Sequence, residues 1–136
     1  MRYLLPCLLL SLIACGTEQP PATTATPSAT TPTSGKTPVY QRFSNENFAT
    51  LRVAYPSAPL IDVRTPEEYA AGHIPGAKNI NVNDPDFREQ IGNYNKQYPI
   101  FVYCQAGGRS AKACGALEEL GFEQIYELKN GYGEWE

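Results

Sequence analysis

Hydrophobic and polar positions along residues 39–136 predict short strands separated by short helices. Val39–Phe43 alternates as a strand. Ser44 is placed to cap a helix, and Phe48, Leu51 and Tyr55 follow at helical spacing until Pro56 and Pro59 end it. Leu60–Val63 is a brief, mostly apolar strand. Thr65, Pro66 and Glu68 then form a capping box with proline at the first helical position, so a helix of about two turns is expected, ending near Gly72. His73–Gly76 is a turn, and Ala77–Val82 is a strand with Ile80 and Val82 on one side. Pro85–Tyr94 reads as a helix with Phe87 and Ile91 on one face. Ile100–Tyr103 is a continuous apolar run, as expected of a central strand covered on both faces. Ser110–Leu120 is the next helix, with Ala113, Leu117 and Leu120 inward and Gly121 as its stop. Ile125–Leu128 is the last strand, and Asn130–Trp135 closes the chain. The alternation predicts an α/β fold: a small, mainly parallel five-stranded sheet flanked by helices on both faces.

The pattern breaks down before residue 39. Arg2 gives a positive start, and Leu4–Ile13 is a short apolar stretch, too short to span a bilayer. Residues 1–14 therefore read as a signal peptide. The ending Leu12-Ile-Ala-Cys15 resembles the lipobox of bacterial lipoproteins. That resemblance implies cleavage before Cys15, which becomes the lipidated first residue of the mature chain. Residues 15–38 are almost entirely Thr, Pro, Ala and Ser beyond the cysteine. Such a segment buries too little surface to offset its ordering entropy and is expected to be a disordered tether. At about 3.1 Å per residue its extended reach is roughly 70 Å. The expected location is the cell envelope outside the cytoplasm, with the bilayer as a partner through Cys15. Gly16 favours the outer membrane, facing the periplasm, in a Gram-negative host.

Residues 39–136 carry nine Lys or Arg against thirteen Asp or Glu, a balance of −4. With no basic patch, nucleic acid is excluded as a partner. Of the four cysteines, Cys7 leaves with the signal and Cys15 takes lipid, so Cys104 and Cys114 remain. One histidine and two separated cysteines do not supply a metal site, and no cofactor is expected.

Cys104 ends the most apolar strand, where ligands bind in open α/β sheets. Gly107 and Gly108 let the backbone curl so that amides point at one centre. The helix starting near Ser110 aims its positive end there, and Arg109 adds a permanent cation. All three favour an anion and lower a thiolate's pKa. A cysteine ending a strand is by default one more small hydrophobe. Here the glycines, the arginine and the helix start argue for chemistry at Cys104, with Gln105, Ala106, Gly107, Gly108, Arg109 and Ser110 as its loop.

Three segments carry a resemblance to the rhodanese-like domains, a family of single-domain sulfurtransferases. Leu60-Ile-Asp-Val-Arg-Thr-Pro-Glu-Glu-Tyr-Ala-Ala-Gly-His-Ile-Pro-Gly-Ala77 resembles the family's first signature. Tyr103-Cys-Gln-Ala-Gly-Gly-Arg-Ser110 resembles its active-site loop, and Leu128-Lys-Asn-Gly-Tyr-Gly-Glu-Trp135 its closing motif. The resemblance implies that Cys104 takes sulfur from a donor such as thiosulfate as a persulfide. It then passes that sulfur to a thiol or cyanide, in two displacement steps. The amides of residues 105–109 would steady the persulfide, and Arg109 would orient the loop or hold the anionic donor. The six-residue span from Cys104 to Arg109 favours sulfur over the larger oxyanions handled by related phosphatases and arsenate reductases. Asn130 departs from the family pattern by replacing a glycine. Gln105 and Ala106 are neutral where many relatives carry a cation, which leaves the donor open. A binding or sulfur-carrier module without significant turnover is the alternative, and a monomer is expected.

The remaining residues divide more simply. The turn holding His73 is structural in the matching motif, so His73 is not expected to be a base. Asp62 and Arg64 end a strand beside the site, either supporting loops (Arg64 with Glu68, for example) or lining the pocket rim. Cys114 is either core packing or a resolving thiol that forms a disulfide with Cys104.

Overall fold

This computed structural model describes residues 37–135. The expected signal peptide, Cys15 and nearly all of the expected tether lie outside the described residues. Five strands form one sheet: β1 (Val39–Phe43), β2 (Leu60–Asp62), β3 (Lys78–Asn79), β4 (Ile100–Tyr103) and β5 (Gln124–Leu128). Their order is β1-β5-β4-β2-β3, and every pairing is parallel. The helices are α1 (Asn45–Ala54), α2 (Pro66–Ala71), α3 (Phe87–Gly92) and α4 (Gly108–Glu119), followed by a 3₁₀ turn at Tyr132–Glu134.

Strand alternation sorts the core into two layers. Ile61, Ile100, Val102 and Ile125 point to one face, where they meet Phe87 and Ile91 of α3 and Ala113, Cys114 and Leu117 of α4. Leu60, Phe101, Tyr103, Tyr126 and Leu128 point to the other, against Phe48 of α1, Tyr69 of α2 and Trp135. Phe48 meets Phe101 edge-on with ring centroids 5.2 Å apart. All four residues of β4 are buried, which is why its sequence is apolar without alternation.

The element boundaries differ from the sequence pattern in instructive places. β3 is only two residues long, although Ile80 and Val82 do enter the α3–α4 layer. Their amides bond to the Asp62 and Val63 carbonyls at 2.9 and 3.3 Å, following the end of β2. α3 is shorter than Pro85–Tyr94, while Phe87 and Ile91 are its buried residues as expected. α4 begins at Gly108, not Ser110, because Gly107 takes φ +91° and turns the chain straight into the helix. Arg109 therefore stands in the first turn of α4. Ser44 precedes α1 in extended conformation but its side chain makes no capping bond. Thr65 and Glu68 form the full reciprocal capping box at α2.

Candidate active site

Cys104 follows β4 directly and is 1% exposed. Its position comes from the buried strand behind it and the helix ahead. The Gly107 amide donates to Sγ at 3.1 Å, and the Ser110 hydroxyl lies 3.4 Å from it. Burial pushes the Cys104 thiol up. The Ser110 hydroxyl, when it donates to sulfur, and the amides of Ser110, Ala106 and Gly107 pull it down, and with all of them donating the thiol lies below its ordinary value. The amides are fixed donors; the hydroxyl helps the thiolate only while its hydrogen faces sulfur.

The loop is held from four sides. Below it, the closing turn packs against its backbone. Tyr132 donates its amide to the Cys104 carbonyl at 2.7 Å, and Gly133 to the Gln105 carbonyl at 3.0 Å. Gly131, at φ +71°, has no room for a side chain: a Cβ there would meet the Cys104 oxygen and the Gln105 carbonyl carbon at 2.5 Å. Asn130, in place of the family's glycine, is exposed and bonds Glu134 at 2.6 Å. A Cβ on Gly107 would meet the Lys129 carbonyl oxygen at 2.6 Å, so this glycine is likewise demanded by a neighbouring backbone.

From the second side, Arg64 reaches the loop. It is 2% exposed and binds Asp62 with Nε at 3.0 Å and Nη2 at 2.7 Å. Two further donors go to Gln105 Oε1 at 3.0 Å and the Gly72 carbonyl at 2.7 Å. Asp62 is fully buried. Both are thus buried, and Arg64 bonds the side chain of the loop residue Gln105. The expected pairing of Arg64 with Glu68 is corrected, because Asp62 is two residues away on the same strand end and matches the guanidinium fork.

Glu68 instead binds Arg109, at 2.5 Å and 2.7 Å. The Arg109 hydrogen bonds chiefly hold its carboxyl at about 2, against some desolvation, with help from the Thr65 amide. Arg109 thus has its charge met by a carboxylate from α2, an arrangement that orients the loop's helix start.

On the fourth flank lies a group that the sequence reading missed. Glu127 of β5 is fully buried, and its Oε1 accepts the Ser110 hydroxyl at 2.6 Å. Its Oε2 receives Arg42 Nε at 2.9 Å and the Tyr40 hydroxyl, both from β1. The sheet register explains the meeting: Ile61, Val102, Glu127 and Arg42 form one row across four strands. Two steps from inward-facing Ile125, Glu127 carries the alternation that could have revealed it.

His73 is exposed, stacks on Tyr69 with centroids 3.8 Å apart and bonds the Tyr69 carbonyl. Cys114 is fully buried in the core, and both thiols are free. Among the described residues no three His, Cys, Asp or Glu side chains converge as a metal site would require.

Known proteins share this framework. The chain is 38% identical over 84 residues to the uncharacterised protein YqhL of Bacillus subtilis, covering 62% of this chain and 65% of that one. It is 33% identical over 98 residues to the thiosulfate sulfurtransferase GlpE of Tolumonas auensis, covering 71% of this chain and 88% of the relative. The crystal structure of a rhodanese-like domain protein from Staphylococcus aureus superposes with a TM-score of 0.62 at 27% identity, over 71% of this chain and 91% of that one. The profile of the rhodanese-like domain matches residues 44–136, from the start of α1 through the closing turn that braces Cys104. By that match, and by an all-parallel sheet that delivers a cysteine into a loop of amides, this chain belongs to the rhodanese-like domain family.

Proposed function

We propose that the chain is a sulfurtransferase whose nucleophile is Cys104. The observation that carries this reading is the sulfur's setting, with the Gly107 amide 3.1 Å from Sγ and a thiol lowered despite burial. The Cys104 thiolate attacks the outer sulfur of a donor such as thiosulfate. The new S–S bond forms as the donor's own bond breaks, and sulfite departs with the electron pair. The outer sulfur of the persulfide carries the negative charge, and the loop amides are its nearest fixed donors. An acceptor thiolate or cyanide then attacks that sulfur, and Cys104 leaves as thiolate.

Donor selectivity follows from charge. Arg109 is paired with Glu68, and Gln105 and Ala106 are neutral. Little unpaired positive charge remains in the loop to draw in thiosulfate, so persulfides of small thiols should compete well as donors. The sequence of residues 1–38 supports attachment of the enzyme to a membrane through lipid on Cys15, outside the cytoplasm. Loss of the chain from the membrane fraction on Cys15→Ser substitution is the expected check.

The test of the activity is sulfur transfer from thiosulfate to cyanide, and from a low-molecular-weight persulfide to a thiol, for the chain and its Cys104→Ser variant. The reading expects turnover that the variant lacks, and a mass increase of one sulfur atom on Cys104 after donor treatment. Absence of both with several donors would leave a binding module in place of an enzyme.

A further inference from the structure

Ser110 has one hydroxyl hydrogen and three acceptors around it: Glu127 Oε1 at 2.6 Å, the Gly107 carbonyl at 3.1 Å and Cys104 Sγ at 3.4 Å. A hydroxyl donating to a carboxylate at this distance makes the strongest of the three bonds. The hydrogen therefore points at Glu127, and the oxygen turns a lone pair toward the sulfur. In that arrangement Ser110 can accept from a Cys104 S–H but cannot donate to a thiolate.

We infer that Glu127 is a positioning residue that, through Ser110, favours the thiol over the thiolate at Cys104 and so opposes the loop amides. The inference rests on Cys104 being the reactive thiol, and not on which donor it uses. Two physical effects act together. The hydroxyl orientation stabilises S–H, and the buried carboxylate repels a second negative charge nearby. The groups facing this pair are Arg42 and Tyr40 from β1 on Glu127, and Cys114 and Arg109 from α4. Arg42 is 44% exposed, so the buried carboxylate is tied to a cation at the protein surface.

The same geometry fixes what Glu127→Gln does. Both donors from β1 meet Oε2, so the amide oxygen of the variant stays on that side and its NH₂ group faces Ser110. That group donates to the Ser110 oxygen and frees the hydroxyl hydrogen from the carboxylate, so that once Cys104 ionises the thiolate is the charged acceptor that draws it away from the neutral Gly107 carbonyl. Ser110 then becomes a donor to the thiolate.

The experiment is an NMR titration of the Cys104 Cβ resonance in the full chain, for wild type, Ser110→Ala, Glu127→Gln and the double variant. Glu127→Gln should move the Cys104 titration down by on the order of one pH unit, the scale of removing a like charge. Ser110→Ala should move it down in the wild-type background and up in the Glu127→Gln background, a reversal of sign that simple loss of packing does not produce. If Ser110→Ala raises the wild-type titration or leaves it unmoved, Ser110 is a plain thiolate donor and the inference is overturned. The same holds if Glu127→Gln moves nothing. Should Glu127→Gln fail to fold, the sign for Ser110→Ala alone decides. The titration needs no turnover, so an inactive protein with the expected shifts would sink the sulfurtransferase reading and leave this one standing.

Discussion

Glu68 holds Arg109 through both carboxylate oxygens, 41 residues apart in sequence, while also completing the cap of α2. One carboxylate thus joins the first signature to the active-site loop, and the loop's cation is already partnered before any donor arrives.

A stability dependence on acid follows. The Glu68 carboxyl is held at about 2 in the folded chain, mainly by Arg109, against an ordinary value of 4.5. The unfolded chain binds the proton more readily, so the group's contribution is full above pH 4.5 and is lost as pH falls toward about 2. Both side chains are about one-third exposed, so solvent screens the pair. Glu68→Gln should cost about 1 kcal/mol at neutral pH, combining a weakened pair with half a capping box. Denaturant unfolding at several pH values should show a shallower acid loss for the variant than for wild type.

The closing motif separates a required glycine from a replaceable one. Gly131→Ala places a Cβ against the Cys104 and Gln105 carbonyl groups in a positive-φ conformation. A loss of about 2 kcal/mol or more is expected. Sulfur transfer should fall with it, because the Tyr132 bond to the Cys104 carbonyl is displaced. Asn130→Gly, which restores the family's residue at an exposed site, should change stability by no more than about 0.5 kcal/mol. Thermal unfolding and activity of the two variants together test the distinction.

Most of the fold was legible because β2, β4 and β5 are buried on both faces and read as short, mostly apolar runs, whereas the largely exposed edge strand β1 mixes apolar with polar positions. The nucleophile was legible because its loop is continuous in sequence. What escaped is long-range pairing. Glu68 finds Arg109 rather than Arg64 only once the first turns of α2 and α4 meet beyond the ends of the neighbouring strands β2 and β4. Glu127 sits in a strand whose apolar neighbours masked it, and its partners Arg42 and Tyr40 come from β1, adjacent in the sheet but more than 80 residues earlier in the sequence. The start of α4 was misplaced because its first turn depends on the backbone angle of Gly107, which composition alone does not disclose.

Arg64 offers a way to separate stability from loop support. Arg64→Met leaves the fully buried Asp62 without its cation, and about 3–5 kcal/mol of stability should be lost. Pairing it with Asp62→Leu removes the stranded charge, and most of that loss should return. The Gln105 side chain still lacks its anchor in the double variant. Sulfur transfer should therefore stay reduced after stability recovers. Recovery of both would mean that Arg64 serves the fold alone.

Cys114 should take no part when the site is oxidised. It is packed with Leu117, Ala113 and Val102 in the core, and burial above all, then Glu127 and Glu118, pushes its thiol up. A thiol held protonated is a poor attacker of a sulfenic acid on Cys104. Peroxide treatment should carry Cys104 up the oxidation ladder to sulfinic acid, with little 104–114 disulfide. Cys114→Ala should give the same product at a similar rate and cost about 1 kcal/mol of packing. Peptide mass spectrometry of the oxidised chains checks both statements. A dominant 104–114 bridge would mean that α4 shifts enough to release Cys114 from the core, and the cysteine pair would then act as a redox switch.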